Sequence, residues 1–196
     1  MNAKPEDFTK QILRFEAESI LFDLVHSPAL MGAMFDFDDE KKQKSVDYIA
    51  SILQTCFDAK HLHMAVSHGK AELFGYALIF VHPGEPTRYL HKVYVFEQFR
   101  GQNIGSNLVE AATKGTHTTA LLCSRQVEKF YEKKGFRYVR EFELPSSDNR
   151  FRLSEHLYTG LTFMTNGDEF TRAPVFLLDD RDIRHIMAIV YSSQNP

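Results

Sequence analysis

The chain has 196 residues, 43% of them hydrophobic and 25% charged, which suits one folded domain with or without an appendage. A formal net charge of -3 gives no electrostatic footprint for nucleic acid. The two cysteines, Cys56 and Cys123, stand far apart in apolar surroundings with no zinc or CxxC spacing, so reduced buried thiols are expected. No apolar run approaches membrane-spanning length and no basic, then apolar leader opens the chain, so the expected location is cytoplasmic.

Pro5 to about His26 carries helical periodicity in Phe8, Ile12, Phe15, Ile20, Leu21, Leu24 and Val25. His26-Ser27-Pro28 stops it, because the residue before a proline resists the helical region. Residues 29–37 are small, apolar and ambiguous. A second helix is expected from Asp39 to Asp58, with Val46, Ile49, Ile52, Leu53 and Phe57 on one side and an acidic first turn that suits the helix dipole. Asp36, Asp38, Asp39 and Glu40 between the helices read first as a solvated acidic turn, and alternatively as a patch attracting a cation.

Strands are expected at His61–Ser67, Leu73–Val81 and Arg88–Phe96. Gly75, inside the second, marks a bulge or a close backbone approach. His61 and His63 lie two apart on one strand face, a spacing metals use, but the strand itself carries no carboxylate or thiol, so no metal is assigned.

The third strand runs into Arg100-Gly101-Gln102-Asn103-Ile104-Gly105-Ser106. Ile104, Leu108, Ala111 and Ala112 then recur at helical spacing up to Gly115. A Gly-rich turn opening a helix presents several main-chain N–H groups at the positive end of a dipole, which makes an anion site. Arg100 and the Ser106 hydroxyl add charge and a donor. A short strand at Thr118–Cys123 leads to a short helix over Ser124–Lys134 that carries Val127, Phe130 and Tyr131 on one face and ends at Gly135. Another strand follows at Arg137–Leu144. Helices, a meander and then a strand-helix-strand-helix-strand unit mean an α/β chain with a mixed sheet. Pro145–Asn149 is the best boundary, giving a domain over 1–145 and an extension over 146–196 that packs on it or completes it. In that extension Phe151–Phe163 and Pro174–Leu178 look strand-like, and Asp180–Tyr191 looks helical.

Two of these segments resemble the GCN5-related N-acetyltransferase (GNAT) superfamily: Arg100-Gly101-Gln102-Asn103-Ile104-Gly105 after Val95, and Phe130-Tyr131-Glu132-Lys133-Lys134-Gly135-Phe136. The resemblance covers about Leu62 to Leu144, the first two helices by pattern only, and the last fifty or so residues not at all. It implies a mostly antiparallel central sheet flanked by helices, with the tail as a C-terminal extension. It further implies an acetyl-CoA-dependent transferase that moves an acetyl group to a primary amine by direct attack in a ternary complex. The acetyl-CoA pyrophosphate would rest on the amides of Gln102 to Ser106, beside Arg100 and Gly101. The pantetheine would pair along the strand through Val93, Tyr94 and Val95, with Ser124 and Phe130 completing the site. The N–H of Val95 or a neighbour would receive the oxyanion. Tyr131 matches the family's proton donor to the departing thiolate.

The base is less directly marked, because the strand position where family members often carry Glu holds His91; Glu97 with a water chain competes. Asn103 stands where the family usually has Gly, and Asn enters the left-handed region more readily than other side chains. The expected partner is a small-molecule or peptide amine, with a homodimer left open and no nucleic acid, membrane or metal. A non-catalytic acyl-CoA-binding or sensing module is the alternative. A nucleotide-binding loop fits poorly, since there is no Gly-Lys-Ser/Thr and the glycines miss the dinucleotide spacing.

Overall fold

The computed structural model describes residues 8–26, 37–115, 118–144, 149–168 and 172–192. Asp36 of the acidic turn, the ambiguous segment 29–36 and the boundary at 145–148 lie outside the described residues. In chain order the elements are α1 (Thr9–Val25), α2 (Asp39–Asp58), β1 (Leu62–His68), β2 (Leu73–Phe80), β3 (Thr87–Val95), α3 (Ile104–Thr113), β4 (Thr118–Ser124), α4 (Glu128–Glu132), β5 (Arg137–Glu141), α5 (Glu155–Tyr158), β6 (Leu161–Thr165) and α6 (Asp180–Tyr191). They divide into two compact units, each discontinuous in sequence.

The first unit comprises residues 1–10, 56–142 and 160–176. It holds a six-stranded mixed sheet in the order β1-β2-β3-β4-β6-β5. Every neighbouring pair is antiparallel except β3 with β4. That exception follows from the connection: a crossover carrying α3 returns the chain in the same direction. On one face α3 buries Ile104, Leu108, Val109 and Ala112 against Ala77, Ile79, Leu90 and Leu121, so the helix that follows the Gly-rich turn is locked to the sheet. Gly75 makes the close approach that its place in a strand implied. A Cβ there would stand 2.5 Å from the Tyr94 carbonyl oxygen and 3.2 Å from the Val95 Cα.

The second unit comprises residues 11–55, 143–159 and 177–196, and contains most of α1 and α2, with α5 and α6. α6 is the most clearly specified element of its tail. Asp179 caps it, accepting from the N–H groups of Arg181 and Asp182, while the Asp182 side chain accepts from the Asp179 N–H. Tyr48 of α2 donates to Asp182 at 2.9 Å and stacks on His185 with ring centroids 4.0 Å apart, so one polar network ties α2 to α6.

The extension departs from its expected pattern. Phe151–Phe163 is not one strand: a 3-10 turn at Asn149–Phe151 and the single-turn α5 precede β6, whose five residues insert between β4 and β5. Pro174–Leu178 forms no strand. The polar run Ser154-Glu155-His156 breaks the alternation a strand needs, and one turn of helix forms there instead.

Candidate active site

β3 and β4 pair only over Thr87–Leu90 and Thr118–Leu121. Beyond that point β4 continues against β6, and β3 continues against β2. The two parallel strands therefore part at Leu90 and Leu121. His91, the next residue, is a bulge: Leu90 faces Ile79 and Lys92 faces Leu78, which leaves His91 no counterpart in β2.

The part of β3 past the bulge has a definite polarity. The Phe96 N–H donates to the Phe74 carbonyl at 3.0 Å. By antiparallel alternation, Tyr94 and Phe96 exchange bonds with β2, and the main-chain groups of Val93 and Val95 point the other way, into the gap beside β4. Arg100 Nε donates to the Val95 carbonyl on that edge at 3.2 Å. Side chains alternate too: Val93 and Val95 pack with the α3-side core, while the Tyr94 ring lies 5.6 Å from Tyr76 on the opposite face.

The turn after β3 is held from below. A 3-10 turn at Glu97–Phe99 is closed by the Phe99 N–H to the Phe96 carbonyl, and the Phe99 ring sits 4.4 Å from Phe74. Gly101 and Asn103 both have positive φ, +79° and +60°. Asn103 is the N-cap of α3, in the left-handed region, and its side chain makes no capping bond. The first helical bond runs from the Asn107 N–H to the Asn103 carbonyl. The N–H groups of the residues between them therefore lie in the first turn, where no intrahelical acceptor exists. A Cβ on Gly105 would meet Val95 and Phe130 at 3.6–3.7 Å, ordinary contact distance, so β3, α3 and α4 converge closely here.

These pieces enclose a groove of about 640 Å³. Val93, Tyr94 and Val95 form one wall. Arg100, Gly101, Asn103, Ile104, Gly105 and Ser106 form one end. Phe130 and Tyr131 form the other wall. Of the residues expected at the site, the groove gathers all of these and does not gather Gln102, Ser124 or His91. Gln102 is exposed within the turn, and Ser124 sits at the end of β4, ahead of the 3-10 turn that leads into α4. The His91 ring points to the other face of the sheet. It lies 5.5 Å from Phe80, 5.8 Å from Tyr89 and 5.4 Å from Phe176, with both ring nitrogens shielded from solvent.

Phe99 lacked a sequence signal: it flanks the groove as a single apolar residue in an irregular segment that no periodicity marks, whereas Val127 lines the groove from the segment whose apolar face the sequence marked.

Burial pushes the Tyr131 phenol from 10 up to about 12, with the nearby Cys123 thiol a lesser contributor. Its ring is held edge-on between Phe130 at 5.0 Å and Phe136 at 5.8 Å. Burial likewise raises the Cys123 thiol to about 11, followed by the Glu128 carboxylate. Cys123 donates to the Met164 sulfur at 3.5 Å. At neutral pH the tyrosine thus keeps its proton, and the adjoining cysteine is an unreactive thiol. Among the described residues no three His, Cys, Asp or Glu side chains cluster to hold a metal; His61 instead lies 5.9 Å from the His82 ring.

Residues 58–138 match the family model described as an acetyltransferase (GNAT) domain. No curated protein matches the chain. Among solved structures, the chain is similar to a PaiA N-acetyltransferase from Thermoplasma acidophilum in complex with coenzyme A. Identity is 14% over 83% of this chain and 94% of that one, with a TM-score of 0.49. It is also similar to Arabidopsis thaliana Naa50 in complex with a bisubstrate analogue, at 15% identity over 54% and 72% of the two chains, TM-score 0.40. A third similar structure is nourseothricin acetyltransferase, at 16% identity over 55% of this chain, TM-score 0.42; the chain spans 65% of that protein's length. The resemblance to the GNAT acetyltransferases holds over residues 58–138, the stretch that supplies every residue lining the groove.

Proposed function

We propose that this chain is an acetyl-CoA-dependent N-acetyltransferase acting on a primary amine by direct attack in a ternary complex. The observation that carries the reading is the parting of β3 from β4. It turns the main-chain groups of Val93 and Val95 into a groove that has a Gly-rich helix start at one end and a protonated tyrosine in its wall. These residues fit coenzyme A. The strand edge matches a pantetheine arm with its alternating amides. The first turn of α3, with Arg100 and Ser106, matches a diphosphate. The co-substrate supplies an activated acetyl thioester.

The chain's own residues divide the rest of the work. The Val95 N–H, or its neighbour on the same edge, receives the negative charge that develops on the carbonyl oxygen, where a preorganised donor is worth most. Tyr131 returns a proton to the departing sulfur. His91 takes the proton from the amine. It stands at the residue where the strands part, on the face opposite Tyr131, and Glu97 acting through water is the competing base. Thiol release from acetyl-CoA, measured against a panel of polyamines, aminoglycosides, amino acids and peptide N-termini, tests the proposal. Release with at least one amine, lost on Tyr131→Phe, is expected. Coenzyme A binding by calorimetry with no release from any amine would favour the non-catalytic acyl-CoA module instead.

A further inference from the structure

We propose that the open edge of β1 is an interface on which a second copy of this chain docks, antiparallel about a two-fold axis, so that the two sheets join into one. The inference goes beyond the acetyl-transfer reading and does not depend on it. β1 and β5 are the two ends of the sheet. β5, Arg137-Tyr138-Val139-Arg140-Glu141, carries a charge at three of its five positions and a register shift between Tyr138 and Arg140. Charges and bulges are the devices by which an edge strand refuses a partner. β1, Leu62-His63-Met64-Ala65-Val66-Ser67-His68, contains no Lys, Arg, Asp, Glu or Pro, and it pairs regularly with β2 up to Ser67. One edge is guarded and the other is left able to pair.

The direction of the main-chain groups is fixed. The Val81 N–H donates to the His61 carbonyl at 2.8 Å, so by antiparallel alternation His63, Ala65 and Ser67 exchange bonds with β2. The N–H and C=O groups of Leu62, Met64 and Val66 point outward, and among the described residues no other strand pairs with them. A groove of about 500 Å³ runs beside this edge, lined in part by Phe57, Leu62, Met64 and Val66. What fits is a strand that offers the same three residues in the opposite direction, and β1 is itself such a strand. With the two-fold at Met64, that residue faces Met64 of the second copy and Leu62 faces its Val66, apolar against apolar, while His63 faces its Ala65. Asp58 and Lys60 precede β1, and Lys70 and Glu72 follow it. The antiparallel arrangement brings the start of one β1 to the end of the other, so each end meets one anion and one cation and no block of like charge opposes docking.

The test is sedimentation of the full chain over a range of concentrations, joined to amide hydrogen exchange read residue by residue. Wild type is expected to sediment as a dimer that dissociates on dilution. The Leu62, Met64 and Val66 amides should be protected in the dimer and lose that protection in the monomer, while those of His63 and Ala65 stay protected throughout. Met64→Lys places a charge on the edge, and Met64→Pro removes an N–H that β2 does not use. Each should raise the dimer dissociation constant about tenfold or more, since the ladder loses bonds on both copies. Tyr138→Lys, on the exposed β5 edge, should leave that constant unchanged. Wild type that stays monomeric at every soluble concentration overturns the proposal. So does a dimer that Tyr138→Lys disrupts and the Met64 variants do not. Should both Met64 variants fail to fold, the exchange experiment on wild type still decides. Protection of Leu62, Met64 and Val66 that persists in the diluted monomer overturns the proposal, because the chain itself then covers the edge.

Discussion

Replacing Tyr131 with phenylalanine removes one oxygen and leaves the ring wedged between Phe130 and Phe136, so packing is preserved while the proton is lost. The structure sets the size of the effect. A phenol at about 12 that protonates a thiolate of ordinary acidity, near 9, faces an uphill transfer of about 4 kcal/mol. The same burial acts on sulfur, however, and the neighbouring Cys123 is itself raised to about 11. A thiolate that leaves within such apolar surroundings is raised in the same direction, which narrows the gap for the proposed transfer. Tyr131→Phe is expected to lower kcat about 100-fold, leaving the coenzyme A Kd within twofold, as read by thiol release and calorimetry. Because the phenol holds its proton until about pH 12, wild-type turnover is not expected to fall below pH 10 through ionisation of this group. Turnover of Tyr131→Phe within threefold of wild type would refute the assignment.

His91→Ala is expected to shift or abolish the acidic limb of the kcat/KM profile; an unmoved limb would remove His91 as the base. Gly75→Ala drives a Cβ to 2.5 Å from the Tyr94 carbonyl oxygen. It should cost about 1–3 kcal/mol in denaturant unfolding and weaken coenzyme A binding by displacing β3. Lys60 ends α2 with φ +60°, its N–H bonded to the Phe57 carbonyl and the His61 N–H to that of Cys56. Lys60→Gly should raise stability by about 1 kcal/mol in the same assay, and a loss would count against the strain argument. Tyr131 and Tyr158 are each raised by burial from 10 to about 12. Their neutral forms favour the folded state fully below pH 10. That stability, about 2.7 kcal/mol per group, is lost as pH rises from 10 to 12. Tyr48 is raised to about 12 as well, by burial and by Asp182, so wild type should show this alkaline loss in urea midpoints and Tyr131→Phe should lose only its own share of it.

Much of the site was legible because its signals are local. Gly101, Asn103, Gly105 and Ser106 announce a tight turn at a helix start, and a turn of that kind needs no tertiary partner to expose its amides. Gly75 announced a close approach from its place inside an apolar strand. α2 and α6 have the ends their periodicity implied, with the acidic first turn of α2 agreeing. The tail was harder to read. Phe151–Tyr158 looks strand-like in sequence, but folds into a 3-10 turn and one turn of helix. His91 could be placed on a strand, but its face could not: the bulge opposite Leu78 adds one residue to β3, and one residue is enough to reverse every side chain beyond it.

The sequence by itself determined the groups on offer: a Gly-rich helix start, a tyrosine on a short helix further along, and the strand that leads in. Tertiary structure alone decided that β6, from beyond Asn149, enters the sheet between β4 and β5, and that β3 and β4 stop pairing at Leu90 and Leu121. The first is a long-range pairing, chosen by which buried edge is open when the chain closes. The second is an absence of hydrogen bonds between two strands that each look regular in sequence. Neither periodicity nor composition records which neighbour a strand keeps, and the groove exists because β3 kept β2 while β4 kept β6.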